Sequence, residues 1–454
     1  MRLKERLRDA DRRHHVHSFT DHEALSAHGA FIVERAEGCM LHGEGGIALL
    51  DAMAGLGCVN VGYGRRELAA VAAEAMEELA FYHSFQSTTH PHAALLAEKL
   101  ASLAPGALDR VFFANSGSEA NETIVKLARA YWRAKGQPQR RIILARDYGY
   151  HGSTMYMASL SGLPQMHEAF GLPLADVAHI EAPYWYRQGG AHSPEAYGRI
   201  AADALRRKIA EVGADHVAAF IAEPVQMTAG AIVPPDGYWD EIVAICREND
   251  ILLIADEVVT GFGRTGHWFA QEHFGFEADF MTCAKGLSSA YQPIAAAVIS
   301  DRVAEIALSA KGPFQHGFTT SGHPVACAVA RENIAIIERE GLIAASAEKG
   351  AYLHKTLRSV LGDHRLVGEI RGFGLFAGIE ICREKEGRRQ FPIEAGIDSH
   401  VANAALMEGV IVRATGNSLV ICPPLIVTHA EIDRIASALG NALDRVASAL
   451  SQAS

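Results

Sequence analysis

The stretch that decides the fold is Phe280–Tyr291, FMTCAKGLSSAY, in which an apolar run stops at Lys285 and Gly286. Nearly continuous apolar runs of this length favour strands that are buried on both faces of a sheet. A lysine at the end of such a strand presents its amine to a pocket with little water. Burial lowers the pKa of an amine and makes it a nucleophile toward aldehydes. Lys285 is therefore the first candidate catalytic residue.

Two earlier stretches have the same design, an apolar run that ends in polar residues. ILLIA, residues 251–255, ends in Asp256 and Glu257, and VFFANSGSEAN, residues 111–121, leads from a strand through a turn of small residues into a helix. An imine-forming lysine, a carboxylate at a strand end and a turn that holds a phosphate are the three anchors that pyridoxal 5'-phosphate needs. The three stretches together predict that cofactor.

The turn after the strand at 111–114 is the candidate phosphate site. Ser116 follows the apolar run directly, Gly117 permits the turn, and the N–H groups of Gly117 and Ser118 would point at an anion at the start of the helix. Ser118 adds a hydroxyl donor. The alternative is an ordinary capped turn in which Ser118 is the N-cap of the helix.

The carboxylate of Asp256 can keep a pyridine nitrogen protonated, which makes the ring an electron sink. The alternative is an acid at a strand end that pairs with a helix terminus. Glu257 would point to the opposite face if the strand continues, so we interpret it as structural.

Three other features have a functional and a structural interpretation. Tyr150 follows the strand RIILA and could stack on a cofactor ring, with His151 orienting it, or both could simply pack in a surface loop. Arg413 lies in an apolar strand and needs an anionic partner. That partner is either the carboxylate of a substrate or an acidic residue of the protein in an internal salt bridge. A group of N-terminal histidines lacks a matching carboxylate or cysteine pattern, so we predict a solvated segment and no metal site; its members are His14, His15, His17 and His22.

The chain alternates apolar runs with helical patterns from about residue 67 to residue 299. This alternation predicts an α/β fold with a mainly parallel sheet covered by helices. The predicted strands are 111–114, 141–145, 218–222, 251–255, 280–284 and 295–299. Parallel sheets bind ligands at the carboxyl ends of their strands, so Ser116, Asp256 and Lys285 are expected to share one crevice.

The pattern changes after residue 324 to a long helix, several short strands and a closing helix from about Thr428 to Leu450, which Thr428 and Glu431 open as a capping box. We predict that residues 63–324 form a large cofactor-binding domain and that residues 325–454 form a smaller α+β domain. Residues 1–62 read as short strands with glycine turns and are expected to join the small domain.

Composition excludes several classes of protein. The formal net charge of −11 and the pI near 6.1 argue against a nucleic-acid partner. The seven cysteines are scattered and odd in number, which indicates reduced thiols in a cytoplasm. The charged N-terminus lacks the apolar core of a signal peptide, and no apolar stretch reaches membrane-spanning length.

The motifs, taken in order, resemble those of the class III pyridoxal-phosphate aminotransferases of fold type I, along almost the whole chain. Some blocks look most like the pyruvate-dependent ω-amine aminotransferases. The motifs that carry the resemblance are AMAGLGCVNVGYG, FFANSGSEANE, YGYHGST, IAEPVQ, ADEVVTGFGRTG, CAKGLSS, HGFTTSGHP and VRATGNSLVICPPL.

The resemblance implies a role for each matching residue. Lys285 would form the internal aldimine and then move the proton, and Asp256 would pair with the pyridinium nitrogen. Arg413 would bind the carboxylate of pyruvate or alanine and swing aside for an amine without one. The cofactor would be held by Ser116, Gly117, Ser118, Tyr150, His151, Glu223, Val258 and Phe318, with Thr319 reaching the phosphate of a neighbouring subunit in a homodimer or tetramer.

Departures from the family pattern concern the substrate. Val259 and Thr228 stand where relatives that act on glutamate have a glutamine and a glutamate, which argues against 2-oxoglutarate as acceptor. Gly57 stands where the ω-amine relatives have a tryptophan, and Gln86 replaces an aromatic residue. We hypothesise a pocket reshaped for a bulkier or more polar amine; its walls would be Phe19, Gly57, Phe85, Gln86, Tyr150, Met227, Thr228 and Arg413.

The predicted reaction is ping-pong: a primary amine gives an aldehyde or ketone, and pyruvate then becomes alanine. An aminomutase, racemase or decarboxylase would share fold and cofactor. A nucleotide-binding Rossmann-type protein would use NSGSEAN as its phosphate loop, but it would leave Lys285 unexplained. A non-catalytic binding protein would have no need of that lysine.

Overall fold

The computed structural model describes residues 3–309 and 312–453. The helices are α1 Leu3–His14, α2 His22–His28, α3 Ala54–Gly57, α4 Arg66–Glu78, α5 Pro91–Leu103, α6 Gly117–Ala134, α7 Met155–Leu160, α8 Pro164–Glu168, α9 Trp185–Gln188, α10 Pro194–Val212, α11 Tyr238–Glu248, α12 Ala270–Phe274, α13 Asp301–Ala307, α14 Pro324–Arg339, α15 Leu342–Leu361, α16 Ile397–Met407 and α17 His429–Ala453. The strands are β1 Val33–Glu37, β2 Met40–Gly43, β3 Ala48–Asp51, β4 Leu108–Ala114, β5 Ile142–Arg146, β6 Val177–Ile180, β7 Val217–Ala222, β8 Leu252–Asp256, β9 Phe280–Cys283, β10 Ala295–Ser300, β11 Val367–Gly372, β12 Ala377–Ile381, β13 Val410–Ile411, β14 Arg413–Thr415 and β15 Ser418–Ile421.

The central sheet has seven strands in the order β4-β10-β9-β8-β7-β5-β6. Strand β10 pairs antiparallel with both β4 and β9, and the other pairs are parallel. All strands of this sheet except β10 therefore point the same way, and their carboxyl ends meet at one edge. The six strands predicted from apolar runs are all present, and the predicted α/β class is confirmed.

Buried helices cover both faces of this sheet. Helix α6 buries a face that includes Ile124, Leu127 and Trp132 against one side, and α10 and α11 pack on the other with Leu205 and Ile242. Strands β7, β8 and β9 are buried at every position, as their apolar runs predict. Helix packing on both faces explains why these runs do not alternate with polar residues.

Two smaller sheets use the ends of the chain. One has the order β1-β2-β3-β13, so the N-terminal segment pairs with a strand from the last fifty residues. The other has the order β11-β12-β15-β14. The capping box before α17 is confirmed, since Thr428 N–H donates to Glu431 and the Glu431 N–H donates to Thr428 Oγ1. The division at residues 62 and 324 stays a prediction.

One strand of the central sheet was not predicted. Strand β6, with the sequence VAHI, has only two buried residues and lies at the edge of the sheet, so its apolar signal is weak. Among the described residues, no helix combines the length and the apolar character that a membrane span requires.

Candidate active site

The carboxyl ends of the parallel strands surround a cavity of about 330 Å³. Gly117 follows β4, Glu223 follows β7, Asp256 ends β8 and Lys285 follows β9, and all four line this cavity together with Tyr150. The predicted crevice therefore forms where the strand order places it. The other predicted cofactor residues in the lining are Ser116, Ser118, His151 and Val258.

Lys285 begins a single turn after β9 with a positive φ of 46°. Burial lowers the pKa of its amine from the ordinary value, with the nearby thiols and carboxylates acting in the opposite direction. Within the described part of the chain, the amine makes no hydrogen bond or ion pair. A lysine with lowered proton affinity and no partner is chemically suited to attack an aldehyde.

Asp256 is 3% exposed and is held by a buried network. Its Oδ2 accepts hydrogen bonds from the Asn121 side chain at 2.9 Å and interacts with His151 Nδ1 at 2.8 Å. Its Oδ1 accepts a longer bond, 3.2 Å, from the backbone N–H of Val258. This arrangement fixes the carboxylate at the cavity and gives His151 an orienting role.

Asn121 and Thr282 support the Asp256 carboxylate, and the sequence did not predict this role. The Asn121 side chain also donates to the backbone carbonyl of His151 at 2.9 Å, and Thr282 Oγ1 donates to Asn121 Oδ1 at 2.5 Å. Both residues were inside quoted motifs, and a buried amide at the first turn of α6 was the available signal. Their bonds place the Asp256 carboxylate relative to α6.

Glu223 is 4% exposed and joins two loops of the cavity. Its Oε1 accepts from the Tyr150 N–H at 3.0 Å, and its Oε2 accepts from the Met227 N–H at 3.2 Å. Burial raises the pKa of this carboxyl. Glu223 therefore holds the backbone of Tyr150, the predicted ring-stacking residue, and the turn that begins at Met227.

The turn before α6 has the structure of an anion site. Ser116, not Ser118, is the N-cap, since its Oγ accepts from the Glu119 N–H. The Ser118 hydroxyl accepts from the Ser153 N–H at 3.1 Å. Among the described residues, the N–H groups of Gly117 and Ser118 donate to no acceptor. Two unpaired donors at the start of an 18-residue helix are a site for a phosphate.

The residues of the cavity fit pyridoxal 5'-phosphate. The free amine of Lys285, the fixed carboxylate of Asp256 and the unpaired N–H groups before α6 are three different anchors around one cavity. Tyr150 and Val258 both contribute to the walls between them. Each anchor matches one part of the cofactor: the aldehyde, the ring nitrogen and the phosphate.

Glu257 points away from the cavity, as the strand pattern predicts. It is fully buried and accepts hydrogen bonds from Thr260 and from the backbone N–H groups of Ala270 and Gln271. Burial raises its pKa to about 7. Glu257 caps the start of α12 and so fixes the loop that follows β8.

Several predicted substrate residues do not line the cavity of the single chain. Phe19, Phe85, Gln86 and Thr319 are exposed outside it, and Phe318 packs on the cluster that contains Ala284. Gly57 and Met227 are buried directly behind the wall, whereas Thr228, the residue after Met227, lines it.

Arg413 begins β14, next to the cavity wall. Burial lowers the pKa of its guanidinium, and Tyr150 acts in the opposite direction. In the described ranges it has no ion-pair partner and no hydrogen bond through its side chain. Two residues further on, Thr415 Oγ1 donates to the backbone carbonyl of Thr228 at 2.6 Å, which ties β14 to the wall.

The prediction that the N-terminal histidines lack a carboxylate is wrong for two of them. His15 Nδ1 lies 2.9 Å from Asp11 Oδ1, and His17 Nε2 lies 3.0 Å from the same carboxylate. These bonds lower the pKa of Asp11. Asp11 lies four positions before His15 and six before His17, and the sequence pattern did not identify it as their partner.

Comparison with known proteins gives the family. Residues 22–443 match the family described as aminotransferase class-III. The chain is 46% identical to the putrescine–pyruvate aminotransferase of Pseudomonas aeruginosa, over 97% of this chain and 96% of that protein. It is 40% identical to the diaminobutyrate–2-oxoglutarate transaminase of Halomonas elongata, over 98% and 97%. The chain belongs to the class III aminotransferases.

A solved structure supports the same assignment. The omega transaminase from Pseudomonas jessenii, in complex with PMP, superposes with a TM-score of 0.95 at 40% identity, covering 97% of this chain and 98% of that one. The protein is therefore a transaminase of fold type I that uses pyridoxal phosphate. The predicted family, fold, enzyme class and cofactor are confirmed.

The bound cofactor supplies an aldehyde carbon and a ring that accepts electrons from the carbon bearing the amine. The residues of the chain provide the rest. Lys285, with its lowered pKa, would bind the cofactor and would accept and return the proton at its Nζ. Asp256 supplies a fixed negative charge in a site with little water, where it acts strongly.

Proposed function

We propose that this transaminase transfers the amino group of an aliphatic primary amine to pyruvate, giving alanine and an aldehyde or ketone. The observation that carries the proposal is the unpaired Arg413 beside Tyr150. A half-buried guanidinium without an anion is costly, and a keto-acid carboxylate would relieve that cost through two parallel hydrogen bonds.

The choice of pyruvate over 2-oxoglutarate rests on the residues near Arg413. Thr228 and Val259 line the cavity, and neither carries a charge. A second carboxylate on the acceptor would therefore find no cationic partner from these two residues. The relative from Pseudomonas aeruginosa is described as using pyruvate, although the relative from Halomonas elongata is described as using 2-oxoglutarate.

The donor class rests on the composition of the wall. Among the described residues that line the cavity, Tyr150 is the one phenylalanine, tyrosine or tryptophan, and Leu56, Cys58 and Ile294 provide aliphatic or thiol surface. A wall with little aromatic surface stacks poorly on an aryl group. We place an aliphatic amine, such as a diamine, ahead of an arylalkylamine.

We propose that the functional unit is a cytoplasmic homodimer or tetramer with shared sites. Phe85 packs against Gly317, so that the exposed segment 81–88 and the HGFT segment form one continuous surface. Phe81, Tyr82 and Phe85 on it are 42%, 49% and 40% exposed. A cluster of exposed aromatic residues is typical of an interface. Thr319 of one subunit would then reach the cofactor phosphate of the other.

The test is a product assay with purified enzyme, added cofactor and one of two acceptors. Putrescine, hexylamine and 1-phenylethylamine serve as donors, and alanine or glutamate is measured by mass spectrometry. We expect alanine from pyruvate to form at least about 10-fold faster than glutamate from 2-oxoglutarate, since about 1.4 kcal/mol separates rates by that factor. Preferential formation of glutamate would contradict the assignment of the acceptor, and product without any acceptor would favour another cofactor-dependent reaction.

A further inference from the structure

The space beside Gly57 is already occupied. A Cβ atom on Gly57 would lie 2.9 Å from Met227 Cε, 3.3 Å from Met227 Sδ and 3.5 Å from Cys422 Sγ. The first distance is shorter than real Cβ contacts allow. The direction in which a side chain at position 57 would project is therefore filled by the thioether of Met227.

Met227 lies among buried residues. It is 2% exposed and packs in a cluster with Met53, Phe376, Val420 and Cys422. Its backbone N–H donates to the buried carboxylate of Glu223, so its backbone is held in place. A side chain at position 57 meets the flexible end of Met227 and requires the thioether to take another rotamer within this close-packed cluster.

The two residues lie directly behind the substrate wall. Leu56 and Cys58, the neighbours of Gly57, line the cavity, and so does Thr228, the neighbour of Met227. The combined size of residues 57 and 227 therefore sets where these three lining residues stand. A change at either position that is not balanced at the other would move the wall.

We propose that Gly57 and Met227 form a size-compensated pair that determines donor specificity, with the Met227 thioether replacing a rigid wall at position 57. This inference rests on the proposed function and narrows its donor class.

The pair predicts an adaptable layer behind the wall. A methionine side chain has three rotatable bonds and adapts to irregular shapes, whereas a tryptophan presents a rigid ring for stacking. With Met227 behind them and no aromatic ring at position 57, the lining residues Leu56, Cys58 and Thr228 favour an unbranched aliphatic amine over an arylalkylamine. Gly57 on its own does not enlarge the cavity, because the volume that its missing side chain leaves is taken by Met227.

The experiment is a cycle of variants on the holoenzyme. Gly57→Ala and Gly57→Trp are each made with Met227 retained and with Met227→Gly, and Met227→Leu is the control that keeps the volume. Gly57 has a φ of +70°, so both substitutions carry backbone strain. That strain is the same in both backgrounds and cancels in the comparison. The readouts are Tm, bound cofactor per chain, and kcat/KM for hexylamine and 1-phenylethylamine.

Both substitutions at Gly57 are expected to lower Tm more when Met227 is present, and Met227→Gly should recover at least half of the lost Tm and bound cofactor. The Gly57→Trp/Met227→Gly enzyme should shift the ratio of kcat/KM toward 1-phenylethylamine by at least about 10-fold, a difference of the size that one methylene or ring contact provides. Met227→Leu should leave Tm, bound cofactor and this ratio close to wild type.

Equal losses of Tm with Met227 retained and with Met227→Gly would overturn the proposal that residues 57 and 227 compensate each other in size. If Gly57→Trp does not fold in either background, the Gly57→Ala variants decide the question, because their Cβ meets the same methyl group. A wild-type enzyme that forms no alanine would refute the proposed function but not the pair, which Tm and bound cofactor test independently of turnover.

Discussion

The chain completes the floor of the cavity by itself, but it leaves a second group of predicted site residues outside the cavity. The cofactor floor consists of Asn121, His151, Glu223, Asp256, Thr282 and Lys285. The second group, called the mouth below, consists of predicted residues that do not line the cavity of the single chain: Phe19, Phe85, Gln86, Thr319 and Arg413. On the floor, Asp256 and Glu223 are 3% and 4% exposed, whereas in the mouth Phe19 and Phe85 are 79% and 40% exposed.

This difference in burial separates the residues that we expect to carry the chemistry from those that we expect to select the substrate. Apart from Lys285, whose amine has no partner in the described chain, the floor residues are held by buried hydrogen bonds at one edge of the sheet, so their positions depend on the fold alone. Mouth residues lie on exposed segments or, for Arg413, lack a partner within the described chain. Binding the cofactor therefore depends on the sheet, whereas selecting the substrate, in the function proposed above, would depend on exposed segments and on a second subunit.

The largest expected effect comes from the floor. Lys285→Ala removes the amine that binds the cofactor and moves the proton, and we expect kcat to fall by at least about 10⁴-fold, the upper range for general acid–base catalysis. Borohydride reduction followed by peptide mapping should label Lys285 in the wild type and leave the variant unlabelled. Lys99, which pairs with Glu338 on the surface, provides the control Lys99→Ala. Labelling at another lysine would contradict the assignment.

The next effect concerns the carboxylate of the floor. Asp256→Asn keeps the shape but removes the charge, so kcat should fall by about 10²–10³-fold, as for loss of one preorganised electrostatic partner. Asn121→Ala should cause a smaller loss, because it only loosens the Asp256 carboxylate. Presteady-state rates of the amine half-reaction measure both. A rate in Asp256→Asn within twofold of wild type would rule out its role at the ring nitrogen.

Arg413 distinguishes the mouth from the floor. Arg413→Ala should slow the pyruvate half-reaction by about 10–100-fold, since a hydrogen bond to a charged group contributes about 1.5–3 kcal/mol. The half-reaction of an amine without a carboxylate should keep its rate. Arg413→Lys should recover part of the loss, because lysine keeps the charge but not the paired geometry. Equal losses in both half-reactions would place Arg413 among structural residues.

Thr319 tests whether sites are shared between subunits. Thr319→Ala should weaken cofactor binding by about 5-fold, the effect of one hydrogen bond of about 1 kcal/mol. A mixed dimer pairs one Thr319→Ala chain with one Lys285→Ala chain. If sites are shared, the site that contains the intact Lys285 of the first chain also receives the intact Thr319 of the second chain. Those dimers should bind cofactor with wild-type affinity at that site. Affinity as low as in the Thr319→Ala homodimer would show that each chain completes its own site.

The last expected effect concerns stability and leaves the predicted catalytic groups untouched: a pH dependence at Glu257, behind the floor. Burial raises its pKa from 4.5 to about 7, so the folded protein keeps a proton that the unfolded chain releases. The stability that this provides is full below the unfolded pKa and is lost as pH rises through the folded pKa. Between pH 5 and 8, the free energy of unfolding should fall relative to Glu257→Gln by about 2–3 kcal/mol, from 1.36 kcal/mol per pKa unit. Parallel curves of Tm against pH would contradict this.

Sequence predicted the floor well because its residues follow strands. An apolar run that ends in Lys285, Asp256 or the turn at Ser116 fixes both the element and the edge at which the polar residue lies. Asn121 and Thr282 were missed because a side-chain amide or hydroxyl inside a helix or strand gives no periodic signal. Their hydrogen bonds join residues that are far apart in the sequence: 161 positions separate Thr282 from Asn121, and 135 positions separate Asn121 from Asp256.

The packing behind the cavity wall could be predicted only in part. The resemblance named Gly57 and Met227 separately, but it did not reveal that the thioether of one fills the space beside the other. Packing of this kind depends on backbone positions of loops, which local sequence does not determine. The contacts of Asp11 with His15 and His17 were also not predicted from the sequence.

The most direct test of the account is an absorbance spectrum of the purified enzyme before and after putrescine, and again after pyruvate. We predict a visible band of lysine-bound cofactor that disappears with the amine, returns with pyruvate but not with 2-oxoglutarate at the same concentration, and is absent from Lys285→Ala. A band that never responds to amines, or that returns with 2-oxoglutarate alone, would contradict an amine–pyruvate aminotransferase.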